Sequence, residues 1–173
     1  ICTTCFPRRK KPFKTKKPEY RIKTIDIIFD IDGTILDISH RVKFVLQDPK
    51  DWKNFYSNMD KDRPIEEVCA LLKSLLKDDA NQIIFCTGRV EDYREKTIEQ
   101  INKILKGSKN IDIDSCLYMR PKGDYRKDFM VKRDLYKRLI VDGFHPVLVF
   151  EDKITVVEMW KEMGLKCLRV TGA

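Results

Sequence analysis

Long apolar runs are missing from this 173-residue chain. No stretch approaches the ~18–20 residues needed to cross a bilayer, so a membrane role is not expected. No charged-then-apolar leader opens it either, and it starts at Ile1, which reads as a processed product or a piece of something longer. Histidine is scarce: His40 and His145 stand far apart, so neither completes the Cys2-x-x-Cys5 spacing into a zinc site. No G-x-x-x-x-G-K-[ST] occurs, which excludes a P-loop and with it 5′-phosphorylation by these residues. The chain does not lack apolar residues, however. With 42% hydrophobic against 36% charged residues it is globular, and its length suits one domain around a single core. Of six cysteines, Cys69, Cys86, Cys116 and Cys167 sit inside apolar stretches, where a reduced thiol packs as a small hydrophobe. That usage favours an intracellular, reducing compartment, the cytoplasm first.

The net charge of +8 is unevenly placed. Residues 1–23 carry nine Lys/Arg against the single acid Glu19, whereas the other 150 residues hold 26 basic and 26 acidic groups. With no aliphatic residue between Cys5 and Ile22, this N-terminal arm reads as extended or disordered. Such an arm suits a polyanion, nucleic acid ahead of an acidic membrane surface, or recruitment into a nucleoprotein assembly; a solubilising or linker tail is the plainer alternative.

Beyond residue 23, short apolar runs alternate with amphipathic stretches. Strands are expected at Ile25–Phe29, Ile83–Cys86, Cys116–Met119, Val147–Phe150 and Cys167–Val170. Apolar residues at helical spacing predict helices over 64–77, 91–106, 128–141 and 153–163. Strands alternating with helices imply a five-stranded, mainly parallel sheet covered on both faces, a three-layer α/β/α architecture spanning 24–173. Residues 38–63 break the rhythm and read as a small helical cap inserted after the first strand, above the sheet's carboxyl edge.

Ligands of open parallel sheets bind at that edge. The first strand is followed by Asp30-Ile31-Asp32-Gly33-Thr34, the second by Thr87-Gly88-Arg89, the third by Arg120 and then Asp128 and Lys132, the fourth by Glu151-Asp152. Asp30 and Asp32, two apart on an extended chain, project to one side. Hard carboxylate oxygens suit Mg²⁺, and Thr87 and Lys132 offer donors to a phosphoryl group. Gly33 lets the backbone turn sharply beside a phosphate. Asp128 and Lys132, one helical turn apart, are expected to hold each other.

These segments resemble the haloacid-dehalogenase phosphohydrolase superfamily. Phe29–Thr34 with Ser39-His40-Arg41, then Cys86–Arg89, Arg120–Lys132 and Asp152–Gly164 are similar, within it, to the 3′-phosphatase domain of bacteriophage-type polynucleotide kinase-phosphatases. The resemblance implies a Rossmann-like fold and a phosphoaspartate mechanism. Asp30 would be the nucleophile and Asp32 the general acid, then base. Thr87 and Lys132 would bind the transferring phosphoryl group. Asp30, Glu151 and Asp152, with the backbone carbonyl of Asp32, would hold Mg²⁺, while Arg41, Gly88, Arg89 and Asp128 would shape the substrate site. Glu151 departs from the Asp-Asp pair usual there. The implied activity is removal of terminal 3′-phosphates or 2′,3′-cyclic phosphates from nucleic acid, in end repair, with a kinase or ligase fused or bound. A phosphatase of mononucleotides or metabolites, and an idle subunit of a nucleoprotein assembly, are the rival readings.

Overall fold

The computed structural model describes residues 25–172, so the basic arm and the Cys2/Cys5 pair lie outside the described residues. In chain order the elements are β1 (Ile25–Phe29), β2 (Leu36–Asp37), α1 (Ser39–Leu46), α2 (Trp52–Ser57), β3 (Arg63–Pro64) and α3 (Glu66–Leu75). There follow β4 (Asn81–Val90), α4 (Arg94–Leu105), α5 (Ile113–Cys116), β5 (Leu117–Arg120), α6 (Asp128–Val141), β6 (Pro146–Glu151), α7 (Ile154–Glu162) and β7 (Lys166–Arg169). Short 3₁₀ turns occupy Met59–Lys61 and Glu91–Tyr93.

The five long strands form one parallel sheet in the order β5-β4-β1-β6-β7. The chain runs outward from β1 to β4 and β5, then crosses to β6 and β7 on the other side. Order therefore reverses between β1 and β6, which makes a crevice at their carboxyl ends.

Alternation along β1 explains the two cores. Ile27 and Phe29 face one side and pack with Cys69 and Leu72 of α3 and Ile101 and Ile104 of α4. Ile28 faces the other side, with Val131 and Leu135 of α6 and Val156 and Trp160 of α7. Both faces are covered, as parallel strands of near-continuous Ile, Phe and Val require. The result is the three-layer, haloacid-dehalogenase-like α/β/α fold expected from the sequence. Trp160 is wholly buried, a residue of the core.

The elements differ from the sequence reading in several places, among them the unexpected β2 and β3 and a 3₁₀ turn in place of the first three residues of the helix expected over 91–106. Cys116 closes the short α5, so β5 begins at Leu117. The last strand sits one residue earlier than expected, at Lys166–Arg169. Thr87-Gly88-Arg89 does not follow the second long strand but lies inside β4, at a register shift between Cys86 and Val90. Such irregularities re-aim side chains without ending a strand.

Residues 38–62 carry α1, α2 and the first 3₁₀ turn around a small core of Phe55, Tyr56 and Met59. The antiparallel pairs Leu36↔Pro64 and Asp37↔Arg63 form a separate two-stranded sheet that ties the two ends of this segment together. Among the described residues no helix is long and apolar enough to cross a membrane.

Candidate active site

The main chain aims the first carboxylates. Asp30 leaves β1 with its N–H bonded to the Phe150 carbonyl at 3.0 Å, which sets it beside the end of β6. The Ile31 carbonyl then accepts N–H groups from Thr34, Ile35 and Leu36, folding the loop back on itself. Gly33 takes φ +80° there, and a Cβ at that position would collide with the Asp152 carboxylate. Only glycine lets the loop lie against Asp152.

Asp30, Glu151 and Asp152 offer three carboxylate oxygens within 4.8 Å of one another. One buried cation faces them: Lys132 Nζ lies 2.8 Å from Asp30 Oδ1 and 2.7 Å from Glu151 Oε2. Glu151 also accepts weak bonds from the Lys153 N–H at 3.3 Å and the Trp160 indole at 3.5 Å. Lys132 is the one cation at ion-pair distance from Asp30 Oδ1 among the described residues.

Three acids against one lysine leave excess negative charge. Burial, and then Glu151, push Asp30 well above the usual carboxylate range. Burial likewise raises Glu151, and burial together with Asp30 raises Asp152 to about 6. Burial draws the lysine down, yet Asp30 and Glu151 overcome it and hold Lys132 well above its ordinary value. A divalent cation supplies the charge this set lacks, and an all-carboxylate donor set suits Mg²⁺. The glycine cradle at Gly33, which brings the loop against Asp152, fits it too.

A second cluster surrounds Asp32. Asp32 Oδ1 accepts from Arg41 Nη2 at 2.8 Å and from Arg89 Nη2 at 2.6 Å and Nε at 3.0 Å. Both arginines also bind Asp62: Arg41 Nε donates at 2.7 Å and Arg89 Nη2 at 3.0 Å. Arg89 Nη1 reaches the Gln100 side chain at 2.6 Å, and Gln100 in turn donates to the Met59 carbonyl at 2.6 Å. Although burial opposes it, Arg89 and Arg41 hold the Asp32 carboxyl below its usual range. Asp32 is thus ionised in the free protein. All three bonds go to Oδ1, which leaves the second carboxylate oxygen of Asp32 free for proton transfer.

Thr87 is buried in β4, its hydroxyl accepting from the Arg89 N–H at 3.3 Å. Arg120, at the end of β5, donates to the Gly88 carbonyl at 2.9 Å and pairs with Asp128. Asp128 also pairs with Lys153. The expected Asp128–Lys132 pair does not form. Lys132 turns into the buried acids, where it is 3% exposed, while Asp128 turns to Arg120 and Lys153. A Cβ on Gly88 would sit 2.8 Å from Asp128 Oδ1, so that glycine makes room for the carboxylate. Tyr56 of α2 lies near the site, where burial and then Asp32 push its phenol to about 12.

The structure thus brings Asp30, Lys132, Glu151 and Asp152 into one group and Asp32, Arg41 and Arg89 into its neighbour. Asp62, Gln100 and the bridging part of Arg120 were not singled out from sequence. Asp62 stands in a Lys-Asp-Arg run with no periodicity; the one available signal was that two buried arginines need more than one carboxylate.

A Rossmann-like sheet with paired carboxylates after its first strand, a lysine from a later helix and an acid pair after its fourth long strand defines a haloacid-dehalogenase-type phosphatase. The family model described as the polynucleotide kinase PNKP phosphatase domain matches residues 25–173, and the chain belongs to that family. A protein of Autographa californica nuclear polyhedrosis virus, named as a bifunctional polynucleotide kinase/RNA ligase, is 27% identical over 162 residues. The match covers 90% of this chain and 21% of the viral protein. A chain in the structure of a Pnkp1/Rnl/Hen1 complex superposes with TM-score 0.66 at 27% identity, over 96% of this chain and 53% of its own. A chain in a Pnkp1/Rnl/Hen1 RNA repair complex does so with the same TM-score and identity, over 95% and 48%. This chain therefore spans about a fifth of the viral relative and about half of the structural ones.

Proposed function

We propose that this chain is a Mg²⁺-dependent phosphohydrolase that removes terminal 3′-phosphates, or 2′,3′-cyclic phosphates, from broken nucleic-acid ends. The observation that carries the reading is the buried Asp30, held between one buried lysine and two further acids whose charge that lysine does not balance.

In the first half-reaction an Asp30 oxygen bonds to phosphorus, the bond from phosphorus to the sugar oxygen breaks, and that oxygen takes a proton from Asp32. In the second half-reaction water bonds to phosphorus, its proton passes to Asp32, and the Asp30–phosphorus bond breaks. Asp32 is ionised in the free protein, the form the second half needs. A phosphate entering beside it raises its proton affinity and supplies the condition for the first half. Lys132 and Thr87 hold the phosphoryl oxygens in line. Asp30, Glu151 and Asp152 would hold Mg²⁺, which when bound neutralises the charge on the phosphoryl group. Arg41 and Arg89 keep Asp32 in one orientation.

Relatives named for polynucleotide kinase, RNA ligase and RNA repair support a polynucleotide substrate and a kinase or ligase partner. The nine basic residues of the arm give such a partner or a nucleic acid its electrostatic attraction.

Phosphate release from a 3′-phosphorylated oligonucleotide, a 3′-mononucleotide and p-nitrophenyl phosphate tests the reading. The oligonucleotide is expected to have the highest kcat/KM, and chelation of Mg²⁺ to stop release. Equal values for mononucleotide and oligonucleotide would point to a metabolite phosphatase; no release from any would point to an idle subunit.

A further inference from the structure

Aromatic rings near the mouth of the site fall into two kinds. Trp52, Tyr56 and Tyr93 stack on one another, with Tyr56 and Tyr93 centroids 4.3 Å apart and Trp52 and Tyr56 centroids 6.1 Å apart. Each of these rings has at least one aromatic neighbour, although Trp52 remains 46% exposed. Tyr125, in the loop between β5 and α6, is 92% exposed and stacks on no ring among the described residues.

An exposed tyrosine on a floppy loop would mean little, but this loop is held. Arg120, itself 8% exposed, donates from Nη1 to the carbonyls on either side of Tyr125, Asp124 at 3.0 Å and Arg126 at 2.8 Å. The same guanidinium binds the Gly88 carbonyl through Nε, beside Thr87. One buried side chain thus ties the backbone around Tyr125 to the phosphoryl-binding segment. Arg126 adds bonds to Asp124 and, at 2.8 Å, to Asp134 of α6. Lys122 of the loop reaches Asp92 at 3.2 Å, next to Tyr93 of the ring ladder. Lys122 and Lys127 are both exposed and flank Tyr125.

We propose that Tyr125 is a stacking platform for an unpaired base next to the terminal phosphate, with Lys122 and Lys127 serving the backbone phosphates beside it. An aromatic face with cations on either side is the chemistry of single-stranded polynucleotide binding, in which every base offers a π-face. Stacking on an exposed ring needs a splayed base, so the preferred end is single-stranded. The inference rests on the polynucleotide reading above and adds the residue that distinguishes an oligonucleotide from a bare phosphate ester.

The test compares wild type, Y125A and Y125F on a 3′-phosphorylated single-stranded oligonucleotide and on p-nitrophenyl phosphate. Tyr125 makes no side-chain packing contact of note, so both variants fold. Y125A is expected to lower the ratio of kcat/KM for the oligonucleotide to that for the aryl ester by about 5- to 150-fold, through KM, as stacking on one base predicts. Y125F, which keeps the ring, is expected to keep the ratio. A wild-type ratio in Y125A would overturn the proposal. If wild type hydrolyses the aryl ester but no oligonucleotide, the polynucleotide reading falls. Binding then judges the platform alone: 2-aminopurine at the terminal base should be quenched by wild type and not by Y125A, and equal quenching would overturn it.

Discussion

The site has two halves, barely a side chain apart, with opposite electrostatic characters. Around Asp30, two buried acids and the half-buried Asp152 share one lysine. Around Asp32, two arginines face two aspartates, and the charges balance. The first half is incomplete until a cation and a phosphoryl group enter; the second is finished without them. Unmet charge marks where chemistry happens, and met charge marks what holds the chemistry in place.

The largest effect expected from breaking this comparison is at Asp30. Asp30→Asn keeps the shape, removes the attacking charge and relieves an acid that burial already disfavours. Turnover is expected to fall by about 10³-fold or more, with stability unchanged or raised. Activity and urea denaturation on one preparation check both parts. Substantial turnover would remove the covalent mechanism.

The balanced half should respond in the opposite sense. Asp62 is fully buried, and both of its oxygens bind arginine. Asp62→Asn leaves two buried guanidinium groups with Asp32 alone. A stability loss of about 3–5 kcal/mol is expected. A fall in kcat of about 10- to 100-fold is expected too, because Asp32 loses its orientation. A variant as stable as wild type would show that Asp62 is not what holds the arginines.

Legibility in the sequence followed the same division. The strands could be read because each is a short run of Ile, Val, Leu or Phe, and Asp30, Asp32, Glu151 and Asp152 because they stand at strand ends. Lys132 does lie among the strand-end acids but was wrongly paired: helical spacing offered Asp128, and the tertiary pull of two buried acids won. Asp62 could not be read at all. Its meaning lies in Arg41 and Arg89, 21 and 27 residues away, and in a segment whose path no periodicity announces. The apolar run ends at Cys86, so the sequence puts Thr87-Gly88-Arg89 beyond the strand, whereas a register shift keeps it within β4.

The smallest effect is a contrast in pH response, and it separates the halves most cleanly. Asp152 titrates from about 3.8 in an unfolded chain to about 6 in the fold, because burial and Asp30 disfavour its charge. A raised carboxyl favours the fold when protonated, so its contribution is full below about pH 4 and is lost as pH rises through about 6. Asp30 and Glu151 are raised too and act in the same direction. Asp32 is shifted the other way, so the arginine half keeps its stabilisation above about pH 4 and loses it only as pH falls below. In chelator, Tm is therefore expected to decline by a few degrees as pH rises from about 4 through 6. Saturating Mg²⁺ should cancel the decline, since a cation bound to the ionised acids favours the fold more as protons leave. Asp152→Asn in chelator should show a shallower decline over the same window. A metal-free Tm that stays level or climbs between pH 4 and 6 would mean that the acid half is already neutralised without a cation, and the contrast between the halves would fail.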